Sequence, residues 1–245
     1  NTALGHSALE VATTGACNTA VGRTALLALT TGTRNTAVGK GALCDITTTQ
    51  DNTGIGYDAA RDSTANYTTA VGSEAVFKTT GDANTGVGYR TLMCNTSGTA
   101  NVGLGYQAGC VNSTGSCNTS IGYRSLRNAT TASNNTAVGG NALCANTTGS
   151  ENVAVGTIVL DANTTGASNT GVGHEALSGN TTGIRNTAVG LGSMYTNTTG
   201  GCNTSLGYAS LGSNTTGTDN TAAGLCALNA NTTGSNNVAV GAESL

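Results

Sequence analysis

The amino-acid sequence repeats itself from its first residues to its last, and that periodicity limits the chain to a few architectures. Aligned on Asn-Thr-Ala-Val-Gly, copies start at residues 1, 18, 35, 52, 68, 84, 101, 118, 135, 152, 169, 186, 203, 220 and 237. Twelve intervals are 17 residues long, and the two at 52–68 and 68–84 are 16. The consensus is N-T-A-V-G-x-x-A-L-x-x-N-T-T-G-x-x, giving 14 full copies and a nine-residue remainder. A unit this short, with two Gly and several Thr and Asn, cannot hold a pair of helices against their propensity and nucleation costs. Units of this size bury a continuous core only by stacking on one another.

Each copy reads as a strand (Thr-Ala-Val), a corner at the fifth position, a short Ala-Leu piece and an Asn-Thr-Thr-Gly corner. The fifth position is Gly in every copy, from Gly5 to Gly241, as a backbone that excludes a Cβ requires. The chain is therefore expected to be all-β: a parallel β-solenoid (β-roll or β-helix) of 16–17-residue rungs, about 14 of them, with residues 1–245 as one solenoid. At the normal strand spacing such a rod is roughly 65–70 Å long. The two shortened rungs, within 52–83, predict a local kink or a tightened corner.

Two aliphatic columns are expected to form its core. The fourth position runs Leu4, Val21, Val38, Ile55 and onward to Val240, and the ninth runs Leu9, Leu26, Leu43 and onward to Leu245. Two large aliphatics per rung fill only a thin coil, so the Ala at positions three and eight are expected to line a face that packs against other chains, as in a closed homotrimer or a filament. Stacked Asn are expected to bond one another and the backbone at the corners.

The repeated N-T-A-V-G-x-x-A-L, as in Asn18–Leu26, Asn35–Leu43 and Asn135–Leu143, resembles the β-roll repeats of trimeric autotransporter adhesin heads. It is also similar to the Asn-Thr-rich repeats of phage-type tail fibres. The resemblance covers the whole chain, with a rung longer than the adhesin rung by the N-T-T-G corner. It implies a parallel homotrimer with a left-handed coil, displayed outside a cell or on a virion, and used for attachment. Residue 1 already lies within the pattern, so the chain is expected to be a piece of a longer fibre. The expected function is a shaft or adhesive head, with the chain itself as partner and a cell-surface receptor or glycan as target.

Other chemistry is sparse. With a formal charge of -3 the chain has no basic footprint for nucleic acid. No apolar run approaches the roughly 20 residues of a membrane span. His6 and His174 share no partner, the carboxylates have no calcium-loop spacing, and no nucleophile–base set can be assembled. No enzyme activity, cofactor or metal is expected. Eight Cys lack C-x-x-C spacing; Cys94 and Cys110 fall at positions 11 and 10 of consecutive rungs, near enough for a disulfide in an oxidising compartment. Glycosylation acceptors recur at position 12, taken as an exposed corner: Asn95, Asn112, Asn146, Asn163, Asn180, Asn197, Asn214 and Asn231. Asn66, Asn118, Asn128, Asn134 and Asn203 match as well, although an Asn-Thr-rich repeat generates such matches by composition. A secretory source would make the rod the core of a glycan-coated filament. The third reading is ice binding, from the Thr that holds position two in twelve of fifteen copies.

Overall fold

The computed structural model describes all 245 residues as an all-β parallel solenoid of about fourteen turns. Fifteen three-residue strands, from β1 (Thr2–Leu4) to β15 (Val238–Val240), supply one strand to each turn. The chain divides into two compact units, residues 1–120 and 121–245. Within each unit, strands lie parallel to their sequence neighbours in chain order, and like pairs with like: Thr19 with Thr36, Ala20 with Ala37, Val21 with Val38.

The strand has a definite inside. Its middle residue is buried in nearly every turn, while the flanking second and fourth residues are half-buried or exposed. The Ala at positions three and eight, such as Ala20, Ala25, Ala37 and Ala42, are fully buried. The ninth-position column is buried as expected, including Leu26, Leu43, Leu143, Leu160 and Leu177. The fourth-position column is not: Val38, Ile55, Leu104, Val155, Val189 and Leu206 lie on the outward face. Both the fourth-position core and the Ala-lined outer face are thus reversed.

The cause is the width of the turn. A Cβ added at Gly54, in position three, would stand 2.9 Å from Cγ of Leu43, the ninth residue of the preceding turn. Leu reaches across the coil and leaves room opposite for Ala, Gly or Ser only, so the larger aliphatic of the strand is forced outward.

The backbone between the strand and the Asn-Thr-Thr-Gly corner is made of tight turns. Ala25 N–H donates to the Gly22 carbonyl at 3.3 Å, and Cys44 N–H to the Gly41 carbonyl at 3.3 Å. These turns demand positive φ at positions seven and nine, met by Thr24 (58°) and Leu43 (49°) among others; position 17 follows with Asp51 (59°). A left-handed residue costs about 1–2 kcal/mol. Burying a Leu returns about 1.5–3 kcal/mol, enough to hold the ninth position in that conformation. At the fifth position the demand is harsher: φ lies between 120° and 140°, from Gly241 to Gly224, a region that side chains rarely adopt.

The two 16-residue turns lose their residue from the Asn-Thr-Thr-Gly corner. Strand register continues through them, Thr53 to Thr69 to Thr85. Ser63 and Thr79 replace Asn at position 12, and their short side chains bond the amides two residues on, Ala65 N–H to Ser63 Oγ at 3.3 Å and Gly81 N–H to Thr79 Oγ1 at 3.2 Å. The corner is tightened, as one of the two expectations had it.

Candidate functional site

Two columns of Asn run inside the coil. At position one, Asn35 Nδ2 donates to the Thr49 carbonyl across the corner of its own turn at 2.9 Å, while its backbone N–H donates to Asn18 Oδ1 at 2.9 Å. Each amide thus closes one turn and caps the next. Thr68 interrupts the column and leaves its own buried hydroxyl without a hydrogen bond.

At position 12 the pattern is similar. Asn163 Nδ2 donates to Asn146 Oδ1 and to the Gly166 carbonyl, both at 2.9 Å, and Asn163 Oδ1 accepts from Asn180 Nδ2 at 2.8 Å. Asn95, Asn112, Asn146, Asn163, Asn180, Asn197 and Asn214 are all buried, and Asn231 is half-buried. The exposed corner expected for these residues is therefore an interior wall. An Nδ2 that donates twice within a close-packed coil has no space for a glycan. Of the other acceptor sequences, Asn118 and Asn203 belong to the buried first-position column.

Cys94 and Cys110 are brought together as predicted: Cys94 N–H donates to the Cys110 carbonyl at 3.0 Å across adjacent turns. Cys94 is exposed and Cys110 buried, and all eight cysteines are thiols. Burial, with Asp45 adding to it, pushes the Cys44 thiol up to about 11. His6 lies against Ser7 Oγ at 3.1 Å and His174 stands 3.7 Å from Glu175, in separate units. No group of three or more His, Cys, Asp and Glu is placed to hold a metal ion.

Two outer surfaces have distinctive chemistry. On the sheet, the outward fourth-position side chains stack in register, Val38 beside Ile55 and Val189 beside Leu206, with Leu104 46% and Leu206 44% exposed. Beside them run the second-position residues, Thr19 beside Thr36 and Thr187 beside Thr204. At the corner that follows, position six collects five of the seven tyrosines: Tyr57, Tyr89 and Tyr106 in the first unit, Tyr123 and Tyr208 in the second. All five are exposed. Tyr89 and Tyr106 stack with ring centroids 5.4 Å apart, and the Arg90 guanidinium lies 5.0 Å over Tyr89. Lys40, also in position six, lies 5.1 Å over Tyr57. The register contains this aromatic column, and counting residue types position by position finds it.

No family model, curated protein or solved structure matches the chain.

Proposed function

We propose that the protein is a structural or adhesive segment of an extracellular or virion-surface fibre, stiff by repetition and assembled from copies of its own chain as a trimer or filament. The observation that carries this reading is the outward aliphatic column on the sheet. A row of half-buried to exposed Val, Ile and Leu marks an association surface, because covering it recovers the part of each side chain's transfer free energy that water contact withholds. A second copy of the same solenoid presents the same row at the same spacing, which makes self-association the natural way to cover it. The Tyr column lies beside that face and remains available to a receptor or glycan.

Light scattering on the purified chain at micromolar concentration tests the assembly. The parent is expected to be oligomeric. Val155→Lys combined with Val189→Lys is expected to give monomers with an unchanged circular dichroism spectrum. A monodisperse monomeric parent would sink the reading. Ice binding remains the second reading, favoured by one observation: the second-position Thr share the outward face in register. Thermal hysteresis of the monomeric variant, whose Thr rows are intact, separates the two. The glycan-coated filament draws no support from a chain that keeps its commonest acceptor column inside.

A further inference from the structure

Two hollows in the first unit share Tyr57 and Asp58. One, of about 500 Å³, is walled by Tyr57, Phe77 and Met93, with Lys78 among its lining residues. It contains the only Phe of the chain and one of its two Met. The other, of about 300 Å³, is lined by Arg23, Lys40, Arg61 and Asp58. Gly41 opens this second hollow: a side chain there would overlap the Asp58 carboxylate.

The charges do not cancel. Four of nine basic residues (Arg23, Lys40, Arg61 and Lys78) line these hollows, in a chain whose net charge is negative. The Asp58 carboxylate is buried and lies 3.5 Å from Arg61, and Glu74 is taken up by Arg90 at 2.5 Å. Arg61 also stands 3.7 Å from both Asp45 and Asp62. Arg23 and Lys40 are exposed, side by side in position six of consecutive turns, and neither joins an ion pair. Ligand sites characteristically pair an apolar wall with a few placed polar groups, and Arg is well suited to an anionic head.

We propose that the two adjoining hollows bind an amphipathic anion, its aromatic or acyl body against Tyr57, Phe77 and Met93 and its phosphate or carboxylate between Arg23 and Lys40. This site is independent of the self-association described above. It lies on the corner and the segment after it, beside the outward sheet residues and using none of them.

Titration calorimetry on the full chain tests it with four probes of one shape: 1-naphthyl phosphate, 1-naphthoate, neutral 1-naphthylmethanol and cationic 1-naphthylmethylamine. At least one anion is expected to saturate a single site per chain, and the tighter of the two identifies the preferred head group. The neutral probe is expected to bind about tenfold more weakly, the scale of two surface charge contacts. Arg23→Gln with Lys40→Gln, both exposed, is expected to lose the same tenfold with an unchanged circular dichroism spectrum. Phe77→Ser is expected to weaken all the probes that bind. The proposal is overturned if neither anion saturates, if the amine binds as well as the anions, or if the double variant binds them as the parent does.

Discussion

Asn at position 12 and Gly at position 15 form a steric pair, and a double-mutant cycle at Asn163 and Gly166 measures it. All eight turns with Asn at position 12 have Gly at position 15. The three turns with a larger residue there, Thr49, Ala65 and Ala132, have Ile46, Ser63 and Ala129 in place of Asn. A Cβ on Gly166 would overlap Asn163 Oδ1 and the carbonyl of Gly183. Asn163→Ala removes three hydrogen bonds and strands one buried acceptor, Asn146 Oδ1; the Gly166 carbonyl keeps its bond from Asn152 Nδ2 at 2.9 Å and Asn180 Nδ2 its bond to the Gly183 carbonyl at 3.1 Å. At about 1 kcal/mol for each hydrogen bond lost, the cost is about 3 kcal/mol. Gly166→Ala alone is expected to cost about 2–3 kcal/mol by overpacking. In the double variant the clash with Oδ1 is gone, and the corner acquires the Ala129/Ala132 pair that the chain already uses. The double variant is therefore expected to lose about 4 kcal/mol, with a favourable coupling of about 1–2 kcal/mol. Urea unfolding followed by circular dichroism, with the slope checked for constancy, provides the four free energies. Asn231→Ala, half-buried and donating only to Asn214 and Gly234, is the control and is expected to cost about 1 kcal/mol. Additivity within about 0.5 kcal/mol would refute the steric pairing and leave the Gly column to its other close contact, the carbonyl of the next turn.

Three further outcomes follow from the same geometry. Secreted from a eukaryotic cell as a folded chain, the protein is expected to show no glycan at Asn146, Asn163, Asn180, Asn197 or Asn214, read by peptide mass before and after enzymatic deglycosylation. Burial holds the Asp161 carboxyl above the usual carboxylate range, so its ionisation opposes folding. Its contribution is present below the ordinary carboxylate pKa and lost as pH rises through the raised native value; Asp161→Asn should unfold later than the parent at pH 7 and alongside it at pH 3. With its thiol pushed up to about 11, Cys44 is expected to resist iodoacetamide at pH 8 while exposed Cys17, Cys117 and Cys202 are labelled, as peptide mapping at short times would show.

The period, the strand and the Gly corner are all legible in the sequence, because each is a local demand repeated fifteen times. Which face of the strand points inward is not. Thr-Ala-Val has two parities, and the rule that large aliphatics go inside selects the wrong one. It ignores that Leu43 already fills the space opposite Gly54, so that the smallest residue wins the interior. The same oversight hides the Asn columns. Asn-Thr-Thr-Gly has the composition of an exposed turn, yet its first residue forms an interior wall that must be filled, either by a side chain that satisfies the carbonyls there or by hydrocarbon. Asn does so at Asn163, whereas Leu29 and Ile46 fill it with hydrocarbon in the first turns. A trace of this choice is present in the sequence, because position 15 loses its Gly only where position 12 loses its Asn. Pairing the two columns, rather than reading either alone, would have placed both inside. It would also have left position four facing outward, the face that the proposed self-association would cover, and so it ties the parity of a three-residue strand to that proposal.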